Sequence, residues 1–471
     1  MTKRKSIQEV IDPGQPGHHI YFVGIGGIGM SALARYFHQH GKIISGYDRT
    51  ETILTKQLAE EGMAIHYEDK VEDAPKDADL VIYTPAIPAH HQELNYYREQ
   101  GYEVKKRSEV LGAITEHGFN ICVAGTHGKT TVSTMIAHVL RHTGYGCNAF
   151  LGGISVNYES NFWSSEKKVC VIEADEYDRS FLTLHPDIAV ITAMDADHLD
   201  IYGTEQNVHT AFREFAAKVK PAGLLLAKAG LPVEQTGSKT RLLRYDLRDT
   251  KANVRAQNLR IVEGSYAFDA IIGNKTISNV LLNMGGLHNV ENALAAIAVA
   301  VELGIEDELI REAVAAFRGV KRRFEYVFKD KDNIFIDDYA HHPEELRALL
   351  TGVRNLYATK KCTLIFQPHL FTRTRDFADG FAETLGLADE IFLLPIYPAR
   401  EEPIAGVSSE MIAARMITKN VHVVSRDLAI VRIRELLHED AIDVLVTAGA
   451  GDIDTLVQPL ARLFHEKQKG K

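Results

Sequence analysis

The chain has 471 residues, of which 45% are apolar and 25% charged, with a formal net charge of −10 and a pI of about 6.1. This length predicts two to four domains with the composition of an ordinary soluble protein. The acidic balance argues against binding to nucleic acid, and the lack of an apolar run of about 18 residues argues against a membrane span. The polar first 18 residues lack the apolar core of a signal peptide, so we expect a cytoplasmic protein.

The four cysteines do not form a C-x-x-C pair, which gives no indication of a zinc site or a disulfide framework. Most of them lie in apolar, strand-like runs. We expect small buried side chains in a reducing compartment. The four are Cys122, Cys147, Cys170 and Cys362.

Short apolar runs alternate with helix-length amphipathic stretches, the order that predicts parallel α/β sheets. The pattern begins with a strand at 19–23 and a helix at 28–40. It begins again with a strand at 120–124 and a helix at 129–142, and a third time with a strand at 333–337. Three such starts predict three domains.

The first glycine-rich turn has the pattern G-x-G-x-x-G between the first strand and the first helix, and an aspartate follows its last glycine by 19 residues. This arrangement predicts a pyrophosphate at the helix N-terminus and a ribose hydroxyl on the aspartate. NAD and FAD are the usual ligands, so a dehydrogenase stays open, as does a tight turn without a ligand. The residues are Gly24, Gly26, Gly27, Gly29 and Asp48.

The second turn, G-T-H-G-K-T-T, resembles a P-loop in which Val123 occupies the place of the first glycine. The backbone N–H groups are expected to surround phosphate. Lys129 would reach the β- and γ-phosphates, and the hydroxyl of Thr130 would bind Mg²⁺. The loop residues are Gly125, Thr126, His127, Gly128, Lys129, Thr130 and Thr131.

Two later strands, predicted at 168–172 and 187–192, end in the acidic turns E-A-D-E and D-A-D-H-L-D. A carboxylate at a strand end beside a P-loop is the usual ligand of Mg²⁺. Each turn alone is equally typical of a solvated strand end. Together they predict a site for Mg²⁺ or Mn²⁺ made by Thr130, Glu173 and His198.

Residues 253–282 alternate in character and contain turn signals at Gly264 and Gly273, which predicts antiparallel strands. Further strands are predicted at 362–366, 390–394 and 443–447.

The predicted fold is therefore α/β with three domains. Residues 1–118 would form a Rossmann-like domain. Residues 119–323 would form a P-loop ATPase-like α/β domain with a small antiparallel portion, and residues 324–471 a second Rossmann-like domain.

Six motifs between residues 125 and 343 occur in the order found in the Mur ligase family, which the chain resembles over nearly its whole length. They are G-T-H-G-K-T-T, E-A-D-E, D-H-L-D, G-L-H-N-V-E-N-A, K-R-R-F-E and D-D-Y-A-H-H-P, with G-I-G-G-I-G-M-S before them and F-Q-P-H-L-F-T-R-T-R after them.

The resemblance implies an ATP-dependent ligase that joins L-alanine to UDP-N-acetylmuramic acid through an acyl phosphate and releases ADP and phosphate. The product is a precursor of peptidoglycan. In this interpretation the first turn binds UDP and not a dinucleotide. A monomer or a homodimer is expected.

The resemblance also implies roles for nine further residues. Those near the adenine would be His288, Asn289 and Asn292; those near the phosphates or the reacting groups would be Arg323, Asp338 and His341; those facing the muramyl carboxylate or the alanine would be Tyr339, His369 and Arg373.

The chain departs from the family pattern at two places. Leu370 stands where relatives often have arginine, so that contact is absent or replaced. The centre of the helix after the D-H motif, residues 211–216, has no lysine, so a carbamylated lysine is not expected.

Three alternatives stay open. A murein-tripeptide recycling ligase shares E-A-D-E-Y-D, but the direct path from Phe181 to Pro186 and the F-Q-P-H motif fit it less well. An NAD-dependent dehydrogenase explains only the first turn. A nucleotide-gated binding protein explains the P-loop but not the paired acidic strand ends.

Overall fold

A computed structural model describes residues 6–116, 118–195, 199–235, 237, 239–399, 401–417 and 420–470. The fold is α/β with three domains, each built on one sheet, as predicted. The chain divides into two compact units. The first unit comprises Met1–Gln257, Asp269–Val280 and Glu291–Ala315, and the second comprises Asn258–Phe268, Leu281–Val290 and Ala316–Lys471. Every helix in the described residues is too short or too polar to cross a bilayer.

The N-terminal domain is a five-stranded parallel sheet with helices between its strands. Its strands are β1 (His19–Val23), β2 (Ile43–Tyr47), β3 (Ala64–His66), β4 (Leu80–Tyr83) and β5 (Val104–Lys106). Its helices are α1 (Ile7–Ile11), α2 (Ile28–Gln39), α3 (Ile53–Glu60), α4 (Gln92–Glu99) and α5 (Arg107–Thr115). The strand order is β3-β2-β1-β4-β5. The first predicted strand is confirmed, and the helix ends one residue before its predicted end.

The central domain has a ten-stranded sheet. Its strands are β6 (Phe119–Ala124), β7 (Asn148–Ser155), β8 (Ser160–Trp163), β9 (Val169–Glu173), β10 (Ile188–Ile191), β11 (Leu224–Lys228), β12 (Arg241–Tyr245), β13 (Val254–Val262), β14 (Ser265–Ile272) and β15 (Lys275–Leu282). Its helices are α6 (Lys129–His142), α7 (Leu199–Tyr202), α8 (Glu205–Ala217), α9 (Leu287–Glu302) and α10 (Asp307–Ala316), with a 3₁₀ turn at Ser180–Thr183. The strand order is β15-β14-β13-β12-β11-β10-β6-β9-β7-β8.

Strands β13, β14 and β15 form the antiparallel portion that the alternating pattern predicts. Two-residue turns connect them, and such a short connection allows only antiparallel pairing. In the first turn both Glu263 and Gly264 have positive φ, at 49° and 72°, and Gly273 in the second has φ 57°. Positive φ at both central residues gives a turn whose twist matches that of the strands.

The N-terminal and central sheets share one hydrophobic core within the first unit. Helix α2 packs on β7 and β8, and nearly its whole middle is therefore buried. A buried polar cluster lies in this contact: Asn161 donates to the backbone oxygen of Ile28 and to Ser31 Oγ, and Arg35 donates to Asn161 at 2.6 Å. Arg35 also pairs with Glu61 at 2.6 Å, so its buried charge is satisfied.

The C-terminal domain is a six-stranded sheet, parallel except for its first strand. Its strands are β16 (Glu325–Lys329), β17 (Ile334–Asp338), β18 (Cys362–Phe366), β19 (Glu390–Leu393), β20 (Val421–Val423) and β21 (Val444–Ala448). Its helices are α11 (Pro343–Leu356), α12 (Phe371–Asp376), α13 (Ala378–Leu385), α14 (Ser409–Ala413), α15 (Arg426–His438) and α16 (Val457–Gly470), with a 3₁₀ turn at Asp452–Leu456. The order is β16-β17-β21-β18-β19-β20.

The four cysteines are unpaired and buried, as expected. Burial raises the pKa of each thiol, because no water solvates the thiolate. They serve as small core residues.

Candidate functional site

The P-loop connects the end of β6 to the start of α6, and its glycines are required by its geometry. Gly125 has φ 143°, and a Cβ there would lie 2.1 Å from Thr192 Oγ1. Gly128 has φ 83° and begins α6, and no side chain in the described part of the chain caps that helix. The first N–H groups of α6 therefore face the loop, in the arrangement that binds phosphate.

Contacts with the end of β10 hold the P-loop in shape. Thr126 donates its hydroxyl to Asp195 at 3.2 Å and accepts from the Asp195 N–H at 3.1 Å. Thr192 donates to the backbone oxygen of His127. The ring of His127 is exposed and lies 3.8 Å from Asp195. Thr131 is buried in the first turn of α6.

Two of the three predicted cation ligands meet at the end of β9. Thr130 donates to Glu173 Oε1 at 2.8 Å, and the Gly152 N–H donates to Glu173 Oε2 at 2.8 Å. Both predicted ligands present oxygen, the donor that Mg²⁺ prefers. The third, His198, lies outside the described residues.

Lys129 at the start of α6 is held from two sides. Its ammonium donates to the backbone oxygen of Gly125 at 2.7 Å and to Glu176 Oε1 at 2.7 Å. The side chain of Glu176 is only 1% exposed. Burial raises the pKa of Glu176, and the adjacent Lys129 charge acts in the opposite direction.

The first glycine-rich turn uses Asp48 to fix its own shape. Gly24 has φ 88°, and the Gly26 N–H donates to Asp48 Oδ2 at 2.7 Å. A Cβ at Gly26 would lie 2.8 Å from the same oxygen. Gly27 begins α2, which no side chain in the described ranges caps, so this helix also presents its first N–H groups. Ribose binding by Asp48 stays a prediction.

The two turns line one cavity of about 310 Å³ in the first unit. Gly27 and Gly29 contribute from the first turn, and Lys129 from the second. Arg107, at the start of α5, lines the same cavity and lies 3.7 Å from Asp175. Its Nη1 would be 3.0 Å from a Cβ at Gly29, so the guanidinium lies over the start of α2.

Sequence reasoning missed Arg107, Gly152 and Glu176. Glu176 belongs to the E-A-D-E motif, which could have drawn attention to it. For Arg107 and Gly152 the sequence has no comparable signal, because only folding brings them to the two turns.

The residues predicted near the adenine lie at the start of α9. Asn289 donates its side-chain amide to the backbone oxygen of Gly285 at 2.7 Å, and Gly286 has φ 85°. His288 and Asn289 belong to the second unit and Asn292 to the first. Within the first unit, a Cβ at Gly128 would lie 3.2 Å from Asn292 Oδ1, so Asn292 approaches the P-loop.

In the second unit, Asp338 at the end of β17 binds backbone. It accepts from the N–H groups of Phe324 and Ala340, each at 2.7 Å. Burial raises its pKa to about 6 against the effect of these bonds. The side chain thereby fixes the backbone beside Arg323, and an orienting contact with a nucleotide stays a prediction.

Tyr339, His341, His369 and Arg373 lie together in the second unit, a group that we call the C-terminal cluster. The ring of His341 lies 5.2 Å from that of Tyr339 and 5.9 Å from that of His369. Arg373 Nη1 donates to His369 Nδ1 at 3.3 Å, and His369 stacks on Tyr397.

Both histidines of the C-terminal cluster are held neutral. Burial lowers the pKa of His341 against the opposing effects of Glu345 and the Tyr339 carbonyl, and burial together with the charge of Arg373 lowers the pKa of His369 to about 4. Leu370, the departure from the family pattern, precedes α12 with φ 71°.

Three family models match successive parts of the chain. They are the Mur ligase family catalytic domain at residues 19–118, the Mur ligase middle domain at 123–300 and the Mur ligase glutamate ligase domain at 322–451. The chain belongs to the Mur ligase family.

Mur ligases similar to it include a UDP-N-acetylmuramate–L-alanine ligase from Flavobacterium johnsoniae, 46% identical over 95% of this chain and 98% of that protein. Another, from Parabacteroides distasonis, has the same name and is 48% identical over 94% and 97%.

Solved Mur ligase structures match over nearly the whole chain. The UDP-N-acetylmuramate–alanine ligase of Thermotoga maritima has a TM-score of 0.77 and 29% identity, and it covers 96% of this chain and 100% of that one. A murein peptide ligase from Psychrobacter arcticus has a TM-score of 0.65 and 25% identity over 95% and 98%.

Proposed function

We propose that this chain is a cytoplasmic, ATP-dependent ligase that joins L-alanine to UDP-N-acetylmuramic acid. One observation carries the proposal: two helix N-termini, each preceded by a glycine-rich turn, line a single cavity with Lys129 and Glu173. Such a cavity can receive two phosphate-bearing molecules side by side. The shared name of the full-length relatives supports the choice of substrates.

The reaction must activate a carboxylate, because a carboxylate and an ammonium do not condense in water. The γ-phosphoryl group of ATP passes to the muramyl carboxylate, which forms an acyl phosphate and ADP. The neutral amine of alanine then attacks the acyl carbon, and the tetrahedral intermediate expels phosphate as the amide forms. Lys129 and Arg323 would offset the negative charge that develops in the first step.

Thr130 and Glu173 would hold Mg²⁺ beside the ATP phosphates, and His198 is proposed as a weaker ligand. Their oxygen atoms fit a cation of this class, because the Thr130 hydroxyl and the Glu173 carboxylate lie 2.8 Å apart and Glu173 lines the cavity. When bound, the cation neutralises phosphate charge. Mn²⁺ would suit an imidazole ligand better.

The C-terminal cluster would receive alanine and the muramyl carboxylate. Its histidines are neutral near pH 7, so His341 can accept a proton from the attacking amine. Arg373 has the charge to bind a carboxylate, and Tyr339 and His369 shape the same place.

The other predicted contacts complete the proposal. Gly24, Gly26, Gly27, Gly29 and Asp48 would bind UDP, and the P-loop Gly125–Thr131 the phosphates of ATP. Residues His288, Asn289 and Asn292 would lie near the adenine, with Asp338 orienting the nucleotide. Domain boundaries after residues 118 and 323 follow from the same interpretation.

A binding experiment separates this function from the dehydrogenase, and a turnover experiment separates it from the recycling ligase. We expect UDP-N-acetylmuramate and Mg²⁺-ADP each to raise the melting temperature, since ligands that bind only the folded state stabilise it by about 2.7 kcal/mol at 100 times Kd. NADH should leave the melting temperature unchanged. Protection by NADH without protection by UDP-N-acetylmuramate would refute the proposal, and turnover of murein tripeptide without turnover of alanine would favour the recycling ligase.

A further inference from the structure

Glu176 is a buried carboxylate to which the proposed mechanism assigns no role, although it contacts the P-loop lysine. Its Oε1 accepts from Lys129 Nζ at 2.7 Å, and the side chain is 1% exposed. Lys129 itself is 16% exposed. A buried ionised carboxylate needs a partner of opposite charge, and Lys129 is the cation that contacts it.

The backbone of Glu176 is fixed from two directions. The Arg179 N–H donates to its carbonyl oxygen at 2.9 Å, and the hydroxyl of the buried Tyr202 donates to the same oxygen. Tyr202 is 5% exposed, so this contact is shielded from water. The backbone that carries the carboxylate is therefore placed by α7 and by the turn after β9.

Lys129 is oriented by two acceptors of the protein itself. An ammonium group has three N–H donors and no acceptor. One donor is directed to the Gly125 carbonyl oxygen and one to Glu176, each at 2.7 Å. Among the described residues no acceptor takes the third N–H group, which remains for a phosphate oxygen. A donor aligned in advance stabilises a transition state without reorganisation during the reaction.

The same carboxylate also opposes nucleotide binding. It carries negative charge within hydrogen-bond distance of the ammonium that would attract phosphate. Charges at such separations interact strongly away from water. The attraction between Lys129 and the ground-state phosphates is therefore weaker than that of a lone lysine.

We infer that Glu176 is a positioning residue that aligns Lys129 with the γ-phosphate and limits the affinity for nucleotide. This inference rests on the proposed function of the P-loop. Glu176 would not touch the substrate, because it acts through the Lys129 ammonium.

Two substitutions separate the charge of Glu176 from its position. Glu176→Gln keeps the shape and an acceptor oxygen but removes the charge. We expect this variant to bind Mg²⁺-ADP about 3- to 10-fold more tightly, because the phosphates no longer compete with a carboxylate for Lys129. A tenfold change in Kd corresponds to about 1.4 kcal/mol. We also expect a lower kcat, because Lys129 is less well aligned. Glu176→Asp keeps the charge but withdraws it by one methylene, so kcat should fall while the Kd for ADP stays near that of the wild type.

The binding is measured by titration calorimetry with Mg²⁺-ADP on the full chain, and melting temperatures verify folding. Glu214→Gln, which removes an exposed carboxylate that pairs with Arg179, is the matched control and should leave both quantities unchanged. In a Lys129→Ala background, Glu176→Gln should no longer tighten ADP binding to the same extent.

The outcomes distinguish the inference from the function on which it rests. If the wild type binds ADP, Lys129→Ala weakens it, and both Glu176 variants match the wild type in Kd and kcat, the inference is overturned and the proposed function stands. An equal tightening by Glu176→Gln with and without Lys129 would also overturn it. If the wild type does not bind ADP, the proposed function fails and the inference with it.

Discussion

The cavity of the first unit and the C-terminal cluster of the second differ in how their charged groups are held. At the cavity, Lys129 and Glu173 have partners at 2.7–2.8 Å, and the buried Glu176 is one of the partners of Lys129. In the C-terminal cluster, His341 Nδ1 lies 2.9 Å from the Tyr339 carbonyl oxygen and 3.3 Å from Glu345, and His369 contacts the Arg373 guanidinium at 3.3 Å. The charged groups at the cavity therefore have shorter polar contacts, and we expect substitutions there to cost more activity.

The largest effect is expected from removal of the P-loop cation. Lys129→Ala should lower turnover by on the order of 10²-fold or more, the scale for losing one stabiliser of transition-state charge. The variant loses the cation beside the buried Glu176, so we expect a lower melting temperature with the native fold retained at the assay temperature. Steady-state phosphate release and circular dichroism test this, with the exposed Lys251→Ala as the control. Near-normal turnover of the Lys129 variant would show that the cavity takes no part in the reaction.

A substitution at Gly152 tests how closely activity depends on the position of the Glu173 carboxylate. Gly152→Ala would place a Cβ 2.3 Å from Glu173 Oε1, so the carboxylate must move. A displacement near 1 Å can cost up to about 10²-fold in rate. We also expect a higher Mg²⁺ concentration for half-maximal protection from thermal unfolding by ADP. Gly14→Ala, where a Cβ meets nothing closer than 3.4 Å, is the control, and equal behaviour of the two would show that Glu173 tolerates displacement.

The contact between α2 and β8 should affect stability more than chemistry. Asn161→Ala removes two donors and the acceptor of Arg35 from a fully buried position. Unsatisfied buried partners cost about 1–3 kcal/mol, so the free energy of unfolding should fall by that amount. Denaturant titration measures it. The exposed pair of Ser164 and Gln39 provides the control: Ser164→Ala should change little, and similar losses in both variants would contradict the assignment.

The smallest expected effect is the pH dependence of stability that His369 in the C-terminal cluster contributes. The pKa of His369 is about 4 in the folded chain and near 6.5 when unfolded. Between these values the unfolded chain binds more protons, so His369 contributes stability above pH 6.5 that is lost as the pH falls towards 4. Melting temperatures from pH 8 to 4.5 should fall more steeply for the wild type than for His369→Gln. Parallel curves would show that His369 titrates normally.

The sequence predicted the regular elements well because their signals are local. The strand at residues 19–23 and the helix at 129–142 follow from apolar runs and adjacent glycines, and the structure has both with the predicted ends. The meeting of Thr130 and Glu173 was also predictable, since parallel strands next to one another end at the same edge of a sheet.

The remaining features depend on contacts between distant parts of the chain. Arg107 and Gly152 reach the cavity only after folding, and their local patterns are those of an ordinary helix start and strand. Asp48 and Asp338 were predicted to face ligands, yet their carboxylates bind backbone N–H groups of a turn and a linker. A carboxylate at a strand end fits either partner, so sequence spacing alone does not distinguish them.

We propose that this chain couples ATP cleavage to amide formation between UDP-N-acetylmuramate and L-alanine. The most direct test measures phosphate release with each substrate alone, with both, and with murein tripeptide in place of alanine, and determines the product mass. We predict one phosphate per product only when UDP-N-acetylmuramate and L-alanine are both present, and a product mass equal to their sum less one water. Release that needs neither substrate, or that occurs with tripeptide and not with alanine, would contradict the account.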